Sequence, residues 1–367
     1  MKSNFKGRWT ALFLLTVLVA FSIDSARASN SCAPTLSIDA QTIAKDSPYR
    51  VGPWLEEPIT TNPKTSDLIF QRNTTVSGCI ADVSVKLGQT SVVSYSGDTN
   101  TLQLSLTGAD WRDITPEGVY KLDGHLNRIQ WRYIGLPIEI LNGGELGTLT
   151  ITPSLVALQS YTDRTFSGTL ERDPNAIRLN GTYRRTSLDS LGFSIAPTAT
   201  ETMPGYSLDA AWAYQLTPTS HIDLVINNMF SQVRVDGIWR ATSVYELERN
   251  NALAFNASDN NEVNGTYGQF DGSLSLPRQL SLSIELQHWL VNQIEFAYQN
   301  DQRQLQLTKR WYREFGSLSA ALVNTSGIEL ALNKSIKASI DASFGIAVTI
   351  NKWGGLPVTR LSAVFAF

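Results

Sequence analysis

The C-terminal part of the chain alternates between apolar and polar residues with a period of two. Within residues 337–351 the even positions are all apolar: Ala338, Ile340, Ala342, Phe344, Ile346, Val348 and Ile350. The odd positions are small or polar. A period of two predicts an amphipathic strand. Its length of about 15 residues exceeds the roughly 5–6 of a globular strand and meets the roughly 9–11 that cross a membrane at a tilt.

Similar alternation recurs through the C-terminal half. It is found in residues 279–287 and 206–216, and the second of these has aromatic residues at both ends of its apolar face, as suits two bilayer interfaces. Further alternating stretches begin near Ala176, Leu191, His221, Ala252, Asn292, Gln302, Gly316 and Gly327. The connectors are short and rich in Asn, Asp and Gly, which predicts antiparallel hairpins.

The N-terminus has the features of an export signal. Lys2, Lys6 and Arg8 precede an apolar run over residues 11–23, and Ala26-Arg27-Ala28 is a small-x-small cleavage motif. Residues 1–28 are therefore predicted to be a secretory signal peptide. An uncleaved signal anchor is the alternative, although 13 apolar residues are too few to cross a bilayer.

Export would place the two cysteines in an oxidising compartment. Cys32 and Cys79 are the only pair in the chain, and an oxidising compartment would join them in a structural disulfide. Without the signal peptide the chain has 26 basic and 32 acidic residues, a net charge of −6. This acidic balance argues against nucleic acid as a partner.

The last residues form one more alternating segment, and it supports a resemblance. Its odd positions include Leu361, Ala363, Phe365 and Phe367. A terminal aromatic that closes an alternating strand, after a signal peptide and many amphipathic strands, resembles the C-terminal assembly signal of Gram-negative outer-membrane β-barrel proteins. The resemblance is at superfamily level and covers about residues 163–367. It implies localisation in the outer membrane, contact with its lipid, and insertion by the barrel-assembly machinery.

The fold prediction follows from length and pattern. Residues 163–367 are predicted to form an antiparallel transmembrane β-barrel of about 12 strands, within a range of 10–16. Residues 29–162 contain the two cysteines and alternate less regularly, so they are predicted to form a small disulfide-stapled, sandwich-like β-domain on the periplasmic side. The alternative is that some of these strands belong to a larger barrel of about 16 strands, with the disulfide in an N-terminal extension. Either way the protein is predicted to be all-β.

The chain contains little that indicates chemistry. His221 and Asp223 would share one face near the start of a strand, which resembles the barrel hydrolases of the outer membrane, yet a His-Asp pair two residues apart is commonly only a polar lumen pair. Three scattered histidines do not make a metal site. No nucleotide or cofactor motif is present. We therefore expect no enzyme activity, no metal and no cofactor.

The predicted inward positions carry charges of both signs. The candidate lumen residues are Arg178, Arg184, Asp209, His221, Asp223, Glu295, Glu329 and Asp341. A mixed polar lining suits a hydrated or partly plugged pore. We therefore favour a channel or export pore with a periplasmic β-domain. The alternatives are a closed barrel that anchors an adhesin or partner-binding domain to the membrane and, third, a barrel hydrolase.

Overall fold

The computed structural model consists almost entirely of β-strands. It describes residues 34–45, 65–80, 83–101, 117–174, 176–188, 203–250, 262–286, 289–299, 302–313, 316–323, 327–336, 341–351 and 358–366. The strands are β1 (Thr35–Lys45), β2 (Thr65–Ile80), β3 (Val83–Asp98), β4 (Gly118–Gly135), β5 (Ile138–Leu141), β6 (Thr148–Arg172), β7 (Ala176–Ser187), β8 (Met203–Thr217), β9 (Ser220–Asn250), β10 (Glu262–Leu274), β11 (Gln279–Glu285), β12 (Gln293–Gln299), β13 (Gln302–Arg313), β14 (Gly316–Val323), β15 (Gly327–Ile336), β16 (Asp341–Asn351) and β17 (Val358–Ala366). A 3₁₀ helix, Gly144–Leu146, precedes β6. Within the described residues, no helix has the length and apolar character needed to span a membrane.

The strands form one antiparallel sheet that closes on itself. β1 pairs with β2 on one side and with the last strand, β17, on the other. Because the first and last strands are hydrogen-bonded to each other, the sheet is a barrel without a free edge.

The described strands occupy fourteen positions around this barrel. β5 continues β4 along β6. β7 and β8 lie end to end between β6 and β9 and together make one position of the ring. In the same way β10 and β11 lie end to end along the other side of β9. Seventeen strands therefore make a fourteen-membered ring, and an even number allows every neighbouring pair to be antiparallel.

The two ends of the barrel differ. At one end, here called the short-turn end, two residues separate β2 from β3, β8 from β9 and β13 from β14. At the other, the long-connection end, residues 46–64 and 251–261 separate consecutive strands. β6 and β9, with 25 and 31 residues, extend toward the long-connection end beyond the shorter strands β11 to β17.

The outward face of the wall carries a band of exposed apolar side chains. One row runs through Val76, Leu87, Ile134 and Leu155, which pair in register on four neighbouring positions and are 41–46% exposed. The same face continues around the ring with Phe230, Leu305, Leu318, Leu322, Ile328, Leu330, Leu332, Phe344 and Ile346. We call this band the apolar belt.

The structure does not support a separate N-terminal domain. β1 to β4 are consecutive positions of the barrel wall, and β6 runs without a break through the predicted boundary at residue 162. The alternative places these strands in a larger barrel, as the sheet does, but it places the disulfide in an N-terminal extension, whereas Cys79 lies on β2 in the wall. The regular alternation expected of a barrel strand is weak here because several lumen-facing residues are also apolar, as Ile69 beside Phe70 illustrates.

The predicted disulfide falls partly outside the described residues. Cys79 pairs with Ser84 in the hairpin of β2 and β3, inside the barrel wall, so it does not staple a small domain. Cys79 is disulfide-bonded, but its predicted partner Cys32 is not described, and their pairing stays a prediction. The predicted signal peptide, residues 1–28, also lies outside the described residues.

Candidate functional site

The lumen contains a buried apolar cluster. It consists of Ile69, Val92, Ile129, Trp131, Val156, Leu158, Val233 and Leu276, all at most 4% exposed, with Tyr133, Tyr161, Leu188, Met203 and Leu274 packed against them. Its members come from β2, β3, β4, β6 and β9, and from the connection between β10 and β11. We call it the lumenal core. It fills part of a space that a simple polar-lined pore would leave to water.

A bent connection brings Leu276 into this core. Between β10 and β11 the Leu276 backbone N–H donates to Ser231 Oγ at 2.9 Å, and Asn228 Nδ2 donates to the Pro277 carbonyl at 2.9 Å. Asn228 has a φ of 53° and its own N–H donates to Asp209 Oδ1 at 2.7 Å. Asp209, a predicted lumen residue, therefore helps to hold the connection that closes the lumen.

Two glutamines bridge the lumen beside the core. Gln71 on β2 and Gln279 on β11 exchange hydrogen bonds, Nε2 to Oε1, at 3.3 and 3.0 Å. Asn227 Nδ2 also donates to Gln279 Oε1, at 3.3 Å. Since β2 and β11 lie six positions apart around the ring, this is a contact between different sides of the wall.

Charged residues lie on the short-turn side of the core. His221 Nε2 is 3.2 Å from Asp223 Oδ2 and 3.6 Å from Glu285 Oε2. Arg310 Nη1 lies 3.9 Å from Glu285 Oε1, and its Nη2 donates to Gln293 Oε1 at 3.1 Å. His221 and Asp223 thus belong to a wider network of polar and charged side chains. Ser220 precedes His221 and projects to the opposite face of the strand, so it adds no nucleophile to the pair.

A cavity of about 420 Å³ lies on the long-connection side of the core; we call it the outer vestibule. It is lined by Asp67, Ser94, Tyr95, Ser96, His125, Asn127, Ile129, Tyr161, Leu274, Ser275 and Pro277. Ile129, Tyr161 and Leu274 also belong to or contact the lumenal core. The core is therefore the floor of the vestibule, and polar side chains form its walls.

The polar wall of the outer vestibule is organised around Asp163. Its Oδ2 lies 2.9 Å from His125 Nε2 and accepts a hydrogen bond from Asn127 Nδ2 at 3.1 Å. On β4, His125 lies three residues beyond Arg128, which is in register with Phe70 at the outer edge of the apolar face, so it lies above the belt. The hydrogen bond to Asp163 raises the pKa of His125. This favours the imidazolium form in the vestibule.

The other predicted lumen residues are placed as follows. Arg178 on β7 contacts Glu248 at 3.0 Å, Asp173 at 3.2 Å and Glu171 at 3.6 Å, and Arg184 lies on the same face of that strand. Glu295 on β12 pairs with Ser283 and Gln306. Glu329 and Asp341 lie on β15 and β16, but their side chains are outside the described part. Within the described ranges, no group of three His, Cys, Asp or Glu could hold a metal ion.

The predicted assembly signal forms the seam of the barrel. Phe365 pairs with Leu36 on β1 and with Ala342 on β16, and Ala363 pairs with Ile38 and Phe344. The rings of Phe344 and Phe365 make an edge contact, with centroids 5.5 Å apart and planes at 84°. The side chain of Leu361 and the whole of Phe367 lie outside the described residues.

These features define a closed antiparallel β-barrel with an apolar outer belt and an apolar obstruction in its lumen. The chain matches no protein-family model and no curated protein. Among solved structures it is similar to the "TodX deltaS2S3 mutant monoaromatic hydrocarbon channel", at 10% identity and a TM-score of 0.45 over 92% of this chain and 91% of that one.

Two further solved structures show weaker similarity. One is the translocator domain of autotransporter NalP from Neisseria meningitidis, at 8% identity and a TM-score of 0.27 over 98% of this chain and 95% of that one. The other is OccAB3 of Acinetobacter baumannii, at 9% identity and a TM-score of 0.18 over 91% and 98%.

Proposed function

We propose that this protein is an outer-membrane β-barrel channel for small, partly apolar solutes, and that the lumenal core is its gate. The apolar belt supports insertion in a membrane. Ile80 and Phe70, both exposed on the outward face of β2, are ten residues apart. At about 3.3 Å per residue and a tilt of about 40° they span roughly 25 Å along the barrel axis, the height of the apolar band of membrane barrels.

The lengths of the connections support an orientation. Outer-membrane barrels have short periplasmic turns and longer extracellular loops. The short-turn end is therefore assigned to the periplasm, and the long-connection end to the exterior. In this orientation the outer vestibule opens toward the outside and the His221 network faces the periplasm.

The observation that carries the proposal is the position of the lumenal core directly below the outer vestibule. Buried apolar side chains such as Trp131 and Leu158 exclude water, and a hydrophobic constriction of this kind blocks ions by dewetting. The same constriction does not block a solute with an apolar part, because that part can contact the apolar side chains without water. The vestibule has an apolar floor and a wall of hydrogen-bonding groups, so it suits a small molecule with a ring or chain and one polar group.

Single-channel conductance of the refolded full-length protein in a planar bilayer tests this proposal. We expect no steady ion conductance from the wild type and frequent openings from the double variant Trp131→Ala/Leu158→Ala, which removes much of the core. Leu155→Ala is the matched control, because Leu155 is on the same strand but belongs to the apolar belt. A wild-type protein with stable ion-selective openings would contradict a dry gate.

A second candidate is the closed anchor. The bridge between Gln71 and Gln279 ties two sides of the wall together and favours a barrel that stays shut. In that case the double variant would remain silent in the bilayer even though heat-modifiable gel migration showed a folded barrel. A partner would then be expected to bind the parts of β6 and β9 that extend beyond the membrane at the long-connection end.

A further inference from the structure

A patch of polar and basic residues interrupts the apolar belt on β2, β3 and β4. Directly above the apolar row of Val76, Leu87 and Ile134 lies a row formed by Thr74, Gln89 and Arg132. The next row consists of Arg72, Ser91 and Gln130, and Arg128 follows on β4. The outward face thus changes from apolar to polar within one step of the register. We call these residues the basic groove.

The groove is a surface depression of about 610 Å³. Its lining includes Arg72, Arg128 and Arg132, together with Thr74, Gln89, Ser91 and Gln130 and the apolar Phe70, Val76 and Leu87, and it contains no Asp or Glu. The three arginine side chains are exposed. Among the described residues none of them forms an ion pair, and the one hydrogen bond between groove side chains joins Arg132 Nε to Gln89 Oε1 at 3.4 Å.

The height of the groove indicates which part of a membrane it meets. Arg72 is eight residues from Ile80, so it lies about 20 Å along the axis from the short-turn edge of a belt roughly 25 Å high. The groove is therefore in the outer part of the belt and reaches its outer edge at Arg128, which is in register with Phe70. Arginine at this depth can extend its guanidinium toward the headgroup layer while its stem stays in contact with apolar groups.

We propose that the basic groove binds the phosphate-bearing headgroup of a lipid in the outer leaflet. Three guanidinium groups without an ion-pair partner or a carboxylate in the groove lining match a phosphate, which arginine binds with paired N–H donors. Gln89, Ser91 and Gln130 add neutral hydrogen-bonding groups between them. The apolar row below the groove lies where the acyl chains of the same lipid would run, so one amphipathic molecule satisfies both rows. This inference rests on the membrane orientation proposed above.

A comparison of two matched lipids tests the site. The full-length protein is refolded into phosphatidylcholine nanodiscs that contain either bisphosphorylated lipid A or the same lipid A without its phosphates, and the lipid retained after detergent extraction is measured by native mass spectrometry. We expect the phosphorylated lipid to be retained and the dephosphorylated lipid to be lost. Equal retention of both would overturn the proposal, because contact would then depend on the acyl chains alone.

Variants locate the site on the barrel. Arg72→Gln/Arg128→Gln/Arg132→Gln should lower retention of the phosphorylated lipid by at least about tenfold, since each charge-assisted contact contributes substantially. The corresponding Lys variant should recover part of it. Arg184→Gln removes a positive charge from the other face of the wall and should have no effect. Loss of retention in Arg184→Gln as well would mean attraction by overall charge and would overturn the specific site.

Two further readouts distinguish lipid binding from binding of a small anion and from failure of the proposed function. If an excess of inorganic phosphate alone displaces the lipid completely and raises the melting temperature as much as the lipid does, the groove is a small-anion site and the lipid proposal fails. Heat-modifiable migration of the triple Gln variant reports barrel insertion independently. A triple variant that inserts and gates like the wild type but loses the lipid supports the proposal, whereas a wild-type chain that does not insert contradicts the proposed function itself.

Discussion

Gln71 and Gln279 hydrogen-bond to each other across the inside of the barrel, through amide groups on strands that are not neighbours. Gln71 is 8% exposed and lies in β2 two residues from Ile69, a member of the lumenal core. A partly buried amide pair beside an apolar cluster fixes how the two sides of the wall approach each other, because an alternative position would leave the buried amide of Gln71 unpaired.

A double-mutant cycle measures this bridge. Gln71→Ala and Gln279→Ala should each lower the free energy of unfolding by about 1–2 kcal/mol, since each leaves a partner amide unsatisfied. The double variant should lose less than the sum, with a coupling of about 1 kcal/mol. Urea unfolding of the refolded barrel gives these values. Strict additivity of the two losses would show that the amides do not interact.

A second prediction compares two leucines on β6. Leu158 is fully buried in the lumenal core, whereas Leu155 is 41% exposed in the apolar belt. Leu158→Ala should cost about 2–5 kcal/mol, because it removes buried methyl groups and leaves a cavity. Leu155→Ala should cost less, because lipid closes around a smaller side chain. The midpoint of urea unfolding, with both variants in the same lipid, checks the order, and a larger loss for Leu155→Ala would contradict the assignment of the two faces.

The C-terminal half of the barrel was predictable because its two faces meet different surroundings. In β16 the outward Phe344 and Ile346 alternate with small or polar residues, and the period of two follows directly. On the N-terminal strands the two faces exchange character along the strand. In β4 the apolar Ile129 and Trp131 point into the lumenal core, the outward Arg128 and Arg132 are polar, and Ile134 is apolar and outward, so the apolar-outward pattern of a membrane strand is lost.

The candidate site was predictable only in part. His221 and Asp223 were placed on one strand face by their spacing, and their side chains do lie 3.2 Å apart. The lumenal core depends on contacts between residues far apart in the chain, such as Leu276 and Ile69, and no local pattern reports them. The lumenal core could have been predicted from one signal: apolar residues occur at inward positions where a water-filled lumen would have polar residues.

A third prediction concerns a bulge in β9. Gly237 has a φ of 69°, and its N–H donates to Asp271 Oδ1 at 2.8 Å, where the register of β9 and β10 shifts. Gly237→Val should cost at least about 1–2 kcal/mol, because a β-branched residue strains the left-handed conformation. Gly268→Ala on β10 is the control, since a Cβ there meets nothing within 4 Å. Equal stability of the two variants in urea would show that the bulge is not needed.

A fourth prediction concerns protonation in the outer vestibule. The pKa of His125 is raised by its hydrogen bond to Asp163, so the pair contributes its full stabilisation at a pH below the ordinary histidine value and loses it as the pH rises through the raised pKa. Asp163→Asn should therefore bring the pKa of His125 back toward about 6.5. Titration of the imidazole by NMR checks this, with His221→Gln used to assign the signal. An unchanged His125 titration in Asp163→Asn would remove Asp163 as the cause.

The last prediction concerns delivery to the membrane. The terminal strand carries Phe365 at the seam between β1 and β16, and the resemblance to outer-membrane barrels implies that the residue after this strand is read during insertion. Phe367→Asp should leave the protein in the periplasm, because a charge at this position opposes both recognition and burial at the membrane boundary. Phe367→Tyr keeps the aromatic ring and should insert normally. Fractionation of the two variants, with heat-modifiable migration as the sign of a folded barrel, makes the comparison, and normal insertion of Phe367→Asp would count heavily against the outer-membrane assignment.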